Sequence, residues 1–309
     1  FGICGLTDRN VLIINKQSKK TFLLIFITMF CLISNLSAQW VNDPSSNTKL
    51  VIDPEDPINI SATRDLNGGA YVFWQDKRIN AESDIYFIHL DKDGKVSFRA
   101  DGKAVSTRSG LKENPIAVVD PSGNSLVMWK GRDKKNSQEL FIQKLTKNGL
   151  RLWQNEGIQL THNKFEKIDF ALRVDKRGYS YISFICKSPA ASNKYSVRYQ
   201  ILTPNGKVLS DSLKGIMFSS NNSMSEAEII PDNKGGSTIF WLQNQNKKTV
   251  LFCQFIDSTG SKRWGKNPIA ISKSNASVIN YSIGKLGKGI YAAITYQGST
   301  KIIYQQLIS

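Results

Sequence analysis

The feature that most constrains this chain is internal repetition. The stretch GGAYVFWQDKR (68–78) returns as GNSLVMWKGRD (123–133), GYSYISFICKS (178–188) and GGSTIFWLQNQ (235–245), and more faintly as GKGIYAAITYQ (287–297). Three markers share the period. The first is an Asp-x-x-Gly turn at 65–68, 120–123, 175–178 and 232–235, with Asp lost in the fifth copy at 284–287. The second is a bulky residue ending the apolar run: Trp74, Trp129, Phe184, Trp241 and then Ile294. The third is a later glycine: Gly94, Gly149, Gly206 and Gly260. The first four bulky residues are spaced 55, 55 and 57 apart. Three markers keeping one period exclude chance similarity, and such self-similarity defines the architecture before any motif does.

Each copy reads as four strands. In the second, PIAVV (115–119), SLVMW (125–129), ELFIQKL (139–145) and GIQLT (157–161) are β-branched or aromatic runs bounded by Asp, Asn and Gly, the signature of strands and their turns. No sustained helical period occurs between 40 and 309. A four-stranded unit of this size cannot bury both of its faces alone, whereas neighbours packed around an axis can. The expected fold is therefore an all-β β-propeller over 39–309, with repeats at about 58–107, 113–161, 168–219, 226–272 and 278–309 plus 40–52. The last repeat stops after its third strand, and QWVNDPSSNTKLVID (39–53) resembles the fourth-strand segment RWGKNPIAIS (263–272). Residues near 48–52 are thus expected to complete the last of five blades and clasp the termini. The alternative is a chain that continues past Ser309 with more blades.

Residues 1–38 read as a secretory signal peptide behind upstream residues of uncertain status. Lys19 and Lys20 precede an apolar core from Phe22 to Ile33, and Ser37 and Ala38 follow. That core is shorter than the ~20 residues of a spanning helix. A secreted or cell-surface location is expected, with no membrane span after cleavage. Two cysteines remain after the leader, Cys186 and Cys253, and two buried thiols are expected in preference to a bridge. The formal net charge is +16. The leader holds four basic residues and one acidic one, which leaves about +13 on 39–309. Such a balance suits acidic partners, with anionic polysaccharide favoured over nucleic acid for an exported protein.

The pattern Trp74, Asp76, Arg78, Asp84, Ile85, Tyr86, Leu90, Asp91, Asp93 and Gly94 (W-x-D-x-R…D-I-Y-x-x-x-L-D-x-D-G) resembles a repeat of secreted bacterial propeller proteins. Many of those end in a type IX secretion sorting domain. The resemblance covers about 45–309 and implies a fold and a compartment, little more. A more distant similarity is to sialidase-type propellers, whose Asp boxes occupy the turn between strands three and four. Here that turn reads DKDGKVSF, TKNGLRLW, TPNGKVLS and DSTGSKRW, a related structural turn without the sialidase signature.

Long, dissimilar loops join strands two and three and join one blade to the next, and both sets belong to one face. Variable loops on a rigid scaffold are where binding concentrates. They carry Lys77, Arg78, Arg108, Lys130, Arg132, Lys134, Lys135, Lys164, Lys167, Lys247 and Lys248, so the sequence predicts a cationic rim. A solvated Lys-rich surface explains the same residues equally well. Asp56, Glu113, Glu166, Asp169 and Glu226 lie near the starts of first strands, and Asp76 follows a second strand. These are the carboxylates a glycosidase would need at the mouth of the ring. The recurring Gln143, Gln200, Gln254 and Gln305 predict a repeated structural hydrogen bond, and DKDG (91–94) predicts a turn in preference to a calcium loop. His89 and His162 are the only histidines and fall in different repeats, which leaves little material for a metal cluster or a Ser-His-Asp triad. No cofactor is expected. The reading is a monomeric binding module for acidic polysaccharide or a surface protein. The alternatives are a carbohydrate-active enzyme, hydrolase or lyase, on a five-bladed propeller, and a structural module without a small ligand.

Overall fold

The computed structural model describes residues 45, 50–51, 57–78, 82–99, 101–132, 135–189, 194–209, 215–272, 276–287 and 289–307. The leader segment, Asp56 and Lys134 lie outside the described residues. The described chain is all strand and turn, in five antiparallel sheets. The first blade is β1 (Ile58–Arg64), β2 (Ala70–Asp76), β3 (Asp84–Leu90) and β4 (Lys103–Ala104). The second is β5 (Lys112–Val119), β6 (Ser125–Arg132), β7 (Gln138–Leu145) and β8 (Ile158–Gln159). The third is β9 (Glu166–Val174), β10 (Ser180–Lys187), β11 (Tyr195–Leu202) and β12 (Ile216–Ser220). The fourth is β13 (Met224–Pro231), β14 (Ser237–Gln245), β15 (Lys248–Ile256) and β16 (Ile269–Ala270). The fifth holds β17 (Val278–Leu286), β18 (Gly289–Tyr296) and β19 (Ser299–Leu307). Four sheets have four strands and the fifth has three among the described residues. Among these residues no helix is long and apolar enough to cross a membrane.

The turn chemistry follows from the repeated Asp. Asp65 Oδ1 accepts the backbone N–H groups of Asn67 and Gly69, and Asp120, Asp175 and Asp232 repeat the arrangement. The turn glycine takes a positive φ in each, from 80° at Gly123 to 109° at Gly235, a conformation that costs glycine nothing sterically. Asp91, in the DKDG segment, accepts Asp93 and Lys95 N–H groups in the same way, so its carboxylate closes a turn.

Second strands are apolar on both faces because each lies between two neighbouring blades. The strand-end residue of each blade faces the blade before it. Trp129 packs with Tyr71, Phe73 and Val105 of the first blade, Phe184 with Leu126 and Leu160 of the second, and Trp241 with Tyr181 and Met217 of the third. Ile294 packs with Phe240 and Ile271 of the fourth. These aromatics are core wedges, as expected: Trp129 and Trp241 are fully buried. Trp74 has no preceding repeat, and Leu50 and Val51 pack against its cluster. They take the place that Val105, Leu160, Met217 and Ile271 hold in the later seams.

The repeated glutamines tie the third strand to the following loop. Gln143 donates from Nε2 to Gln154 O while its Oε1 accepts Lys144 and Trp153 N–H. Gln254 repeats this with Gly265 O, Phe255 N–H and Trp264 N–H. Gln200 instead donates across the seam to Leu160 O.

Cys186 and Cys253 are buried, unbridged thiols, as expected. Burial pushes their pKa up to about 11 and about 12 respectively, so almost no thiolate exists at neutral pH, and thiolate is the reactive form. Alkylation followed by peptide mapping is expected to leave both unmodified in the native protein and to modify both after unfolding in guanidinium. Native-state labelling of either thiol would contradict the packing described here.

Candidate functional site

Two places on the loop face gather candidate functional side chains. The first is the axial mouth. The innermost strands β1, β5, β9 and β13 run side by side, and each seam is irregular near its start. Pairing shifts register between Ile58 and Ser61, between Glu113 and Ile116 and between Ser225 and Glu228, and opposite β9 between Ile185 and Cys186. An extra residue bends a strand and re-aims its side chains. Three bulge residues take the left-handed conformation: Asn59 at φ 50°, Asn114 at φ 53° and Glu226 at φ 54°. Asparagine is suited to that region, and glutamate is not.

The bulges bring Asn59, Asn114, Asp169 and Phe170 around a cavity of about 290 Å³, with Lys130 of β6 on its wall. Asp169 bridges two blades. Its Oδ1 accepts Phe170 N–H at 2.8 Å and its Oδ2 accepts Ala227 N–H at 2.9 Å. Burial nevertheless holds its carboxyl above the ordinary value. Glu226 is raised too, by burial and then by Asp169, as like charges resist joint ionisation. Burial lowers the Lys130 ammonium, opposed by Asp169, Glu113 and Glu166. Lys130 Nζ donates to Ile168 O at 3.4 Å and stands 5.8 Å from the Phe170 ring centre. Tyr281 donates its hydroxyl to the Glu226 carbonyl. Of the other sequence candidates, Glu113 is half-buried and Glu166 exposed. Asp76 is buried and accepts bonds from Trp74 Nε1 and from Arg78 N and Nε, each at 2.9 Å. It is a structural carboxylate.

The second place is the basic rim, which the structure divides in two. Arg78 is held by Asp76, donates to Asp101 O and lies 4.2 Å from the Tyr86 ring centre. Arg108 pairs with Glu156 at 3.2 Å and covers Phe141 at 4.3 Å. Lys167 is buried, 2.7 Å from buried Glu139, and donates to Gln138 O and Asn163 O. The expectation that Lys167 belongs to an exposed rim is corrected here. Its aliphatic stem and ammonium are enclosed because Glu139 and two carbonyls satisfy the charge. Lys77, Arg132, Lys135, Lys164, Lys247 and Lys248 are exposed. Arg132 donates to Asn136 O at 3.1 Å, and Lys247 occupies a tight turn at φ 65°. Lys135 and Lys164 meet Arg108 and His162 around a cleft of about 440 Å³ that Glu139, Glu156 and Gln159 also line.

Two arrangements escaped sequence reasoning. On the opposite, turn face, a pocket of about 430 Å³ lies between the third and fourth blades, lined by Arg177, Tyr179, Tyr181, Tyr199, Lys234 and Thr259. Arg177 within it is paired with Asp175 at 2.7 Å. The tyrosines around the DKRG turn were the available signal. The second is in the first blade, where His89 stands between Asp65 and Ser97. The residues come from three turns and strands of one blade and carry no common motif.

No protein-family model matches the chain, and no curated protein matches its sequence. Solved structures do. A protein of unknown function from Dyadobacter fermentans is similar over 84% of this chain and 81% of its own, at 14% identity and a TM-score of 0.51. The polysaccharide lyase Uly1 is similar over 89% of this chain and 64% of its own, at 9% identity and a TM-score of 0.51. An endo-arabinase from Bacteroides thetaiotaomicron is similar over 84% of this chain and 98% of its own, at 12% identity and a TM-score of 0.44. Identities this low speak to fold, and the fold is that of a β-propeller built from four-stranded antiparallel blades.

Three substitutions test these assignments. Lys167→Ala strands Glu139 as a buried unpaired charge and is expected to cost about 3–5 kcal/mol, whereas Lys164→Ala is expected to stay within about 0.5 kcal/mol of wild type. Urea unfolding of both variants makes the comparison. Glu226→Asn keeps the left-handed backbone and relieves it, and it removes one carboxylate beside Asp169. A stability gain of about 0.5–1 kcal/mol is expected, read as a raised melting temperature. A lowered one would mean that the glutamate side chain holds the bulge.

Proposed function

We propose that the protein is an exported carbohydrate-binding β-propeller that holds an anionic polysaccharide on its loop face. The observation that carries this reading is the cleft where Arg108, Lys135, His162 and Lys164 converge from three loops. Cations gathered at one concave place serve an extended polyanion better than cations scattered over a surface. The net charge of +16 favours the same ligand class. The fold likeness to a polysaccharide lyase is compatible with it. Export rests on the basic–apolar–small order of residues 19–38.

A second reading is favoured by one feature, the strained Glu226 beside Asp169 at the axial mouth. Backbone strain concentrates at functional sites. The raised Asp169 carboxyl, with half-buried Lys130 on one side and the raised, exposed Glu226 on the other, suits proton transfer to and from a sugar. In that reading the protein is a carbohydrate-active enzyme, with Asp169 and Glu226 as its acid–base groups.

Native gel mobility in gels containing neutral or acidic polysaccharides separates the readings. The purified protein is expected to be retarded by acidic polymers only, with retardation lost at high salt. Lys135→Ala with Lys164→Ala is expected to weaken the retardation roughly five- to thirtyfold, from ~0.5–1 kcal/mol for each exposed charge. Unchanged mobility in every gel would remove polysaccharide binding. Release of reducing or unsaturated ends, abolished by Asp169→Asn, would establish the enzyme instead.

A further inference from the structure

In the first blade a buried imidazole connects a carboxylate to a hydroxyl at the surface. His89, on β3, is 3% exposed. Its Nε2 lies 2.9 Å from Asp65 Oδ2 and its Nδ1 lies 2.6 Å from Ser97 Oγ. The Tyr71 ring packs against the imidazole with centres 4.6 Å apart, which fixes its plane. Ser97 itself is exposed.

The protonation pattern follows from the partners. Burial pushes the Asp65 carboxyl up, but the bonds from His89, Asn67 and Gly69 outweigh it and hold the group below its usual value. Asp65 is therefore an ionised acceptor, and a carboxylate can only receive a proton-bearing nitrogen. Nε2 carries the hydrogen, and the Nδ1 lone pair is left facing the serine hydroxyl. Asp65 orients the ring and would stabilise the imidazolium formed when Nδ1 takes a proton. This is the division of labour of a Ser-His-Asp relay, with the two ring nitrogens exchanged.

The other blades show that the fold does not require it. The backbone bond from Ser97 N to His89 O recurs as Leu152 to Lys144, Leu209 to Ile201 and Arg263 to Phe255. The same frame thus holds Lys with Leu, Ile with Leu, and Phe with Arg. In the second blade, Lys144 pairs with the turn carboxylate Asp120 at 2.6 Å, so a cation in that place satisfies the turn Asp. Only the first blade puts an imidazole and a hydroxyl together there.

We propose that Ser97 is an activated nucleophile that accepts an acyl group from a carboxylic ester presented at the turn face, with His89 as its base and Asp65 as a positioning residue. Ser97 Oγ adds to the ester carbonyl carbon while its proton passes to His89 Nδ1. The adduct collapses with cleavage of the ester C–O bond, and the leaving alcohol takes the proton from Nδ1. The acyl group remains on Ser97 as an ester. Water then adds to that ester with its proton going to Nδ1, and the carboxylic acid departs as Ser97 recovers its hydrogen. The site lies on the face opposite the cationic cleft and does not rest on the polysaccharide reading.

The test uses a fluorophosphonate probe and p-nitrophenyl acetate on the purified full chain, followed by intact mass and peptide mapping. One adduct on Ser97 is expected in the native protein, and its formation should cease in urea. Ser97→Leu, the residue of the second and third blades, should abolish labelling without lowering the melting temperature. His89→Lys reproduces the pair of the second blade, so Asp65 keeps a cationic partner. It should slow labelling at least tenfold while Ser97 stays exposed. Labelling of Ser97 no faster than that of other surface serines, or a rate unchanged in His89→Lys, would overturn the proposal.

Discussion

Everything in this molecule depends on a second strand that must be covered on both sides. An isolated four-stranded sheet carrying Tyr71, Phe73 and Trp74 would leave one apolar face in water. At ~25 cal/mol for each Å² of apolar surface, that exposure outweighs what its turns contribute. The remedy is a neighbour on each side, and the strand-end residue does the joining. Trp129, Phe184, Trp241 and Ile294 each enter the blade before them. Trp74 faces the same way and meets Leu50 and Val51. Chain ahead of the first strand thus supplies what a preceding blade supplies elsewhere.

That packing sets the terms for the polar groups. Buried donors and acceptors are costly unless paired, and the blades pair them with the same devices repeatedly. The turn aspartates take their own backbone N–H groups, and Gln143 and Gln254 secure the following loop. Lys167 and Glu139 close a buried ion pair beside the seam of the second and third blades. The repetition is not perfect. Trp74 donates its indole N–H to Asp76, whereas the indole nitrogens of Trp129 and Trp241 have no hydrogen-bond partner among the described residues. Packing, not hydrogen bonding, is therefore what the wedge position demands.

The candidate functional features lie where the blades break their own pattern. Glu226 stands in a bulge that asparagine occupies in the first two blades. His89 and Ser97 replace residues that need do nothing but fill or cap. Arg108, Lys135 and Lys164 come from loops whose sequences differ from blade to blade. A repeated scaffold makes such departures visible, because the other blades report what the backbone alone requires.

The sequence by itself determined the architecture. The recurring DLNG-type turns, the wedge residues and the glycines of the later turns place strands, turns and loop faces by local rules of φ and burial, and these need no knowledge of the ring. Buried thiols and structural glutamines were legible for the same reason. The tertiary structure alone decided which charges are exposed and which are buried in ion pairs. Lys164 and Lys167 are three residues apart and alike in sequence, yet one is exposed and the other is sealed against Glu139. Asp65, His89 and Ser97 lie 24 and 8 residues from one another, and only the pairing of β2 with β3 and the turn after β3 bring them into contact. A charge takes its role from what surrounds it in three dimensions, and a periodic pattern read along one dimension does not carry that information.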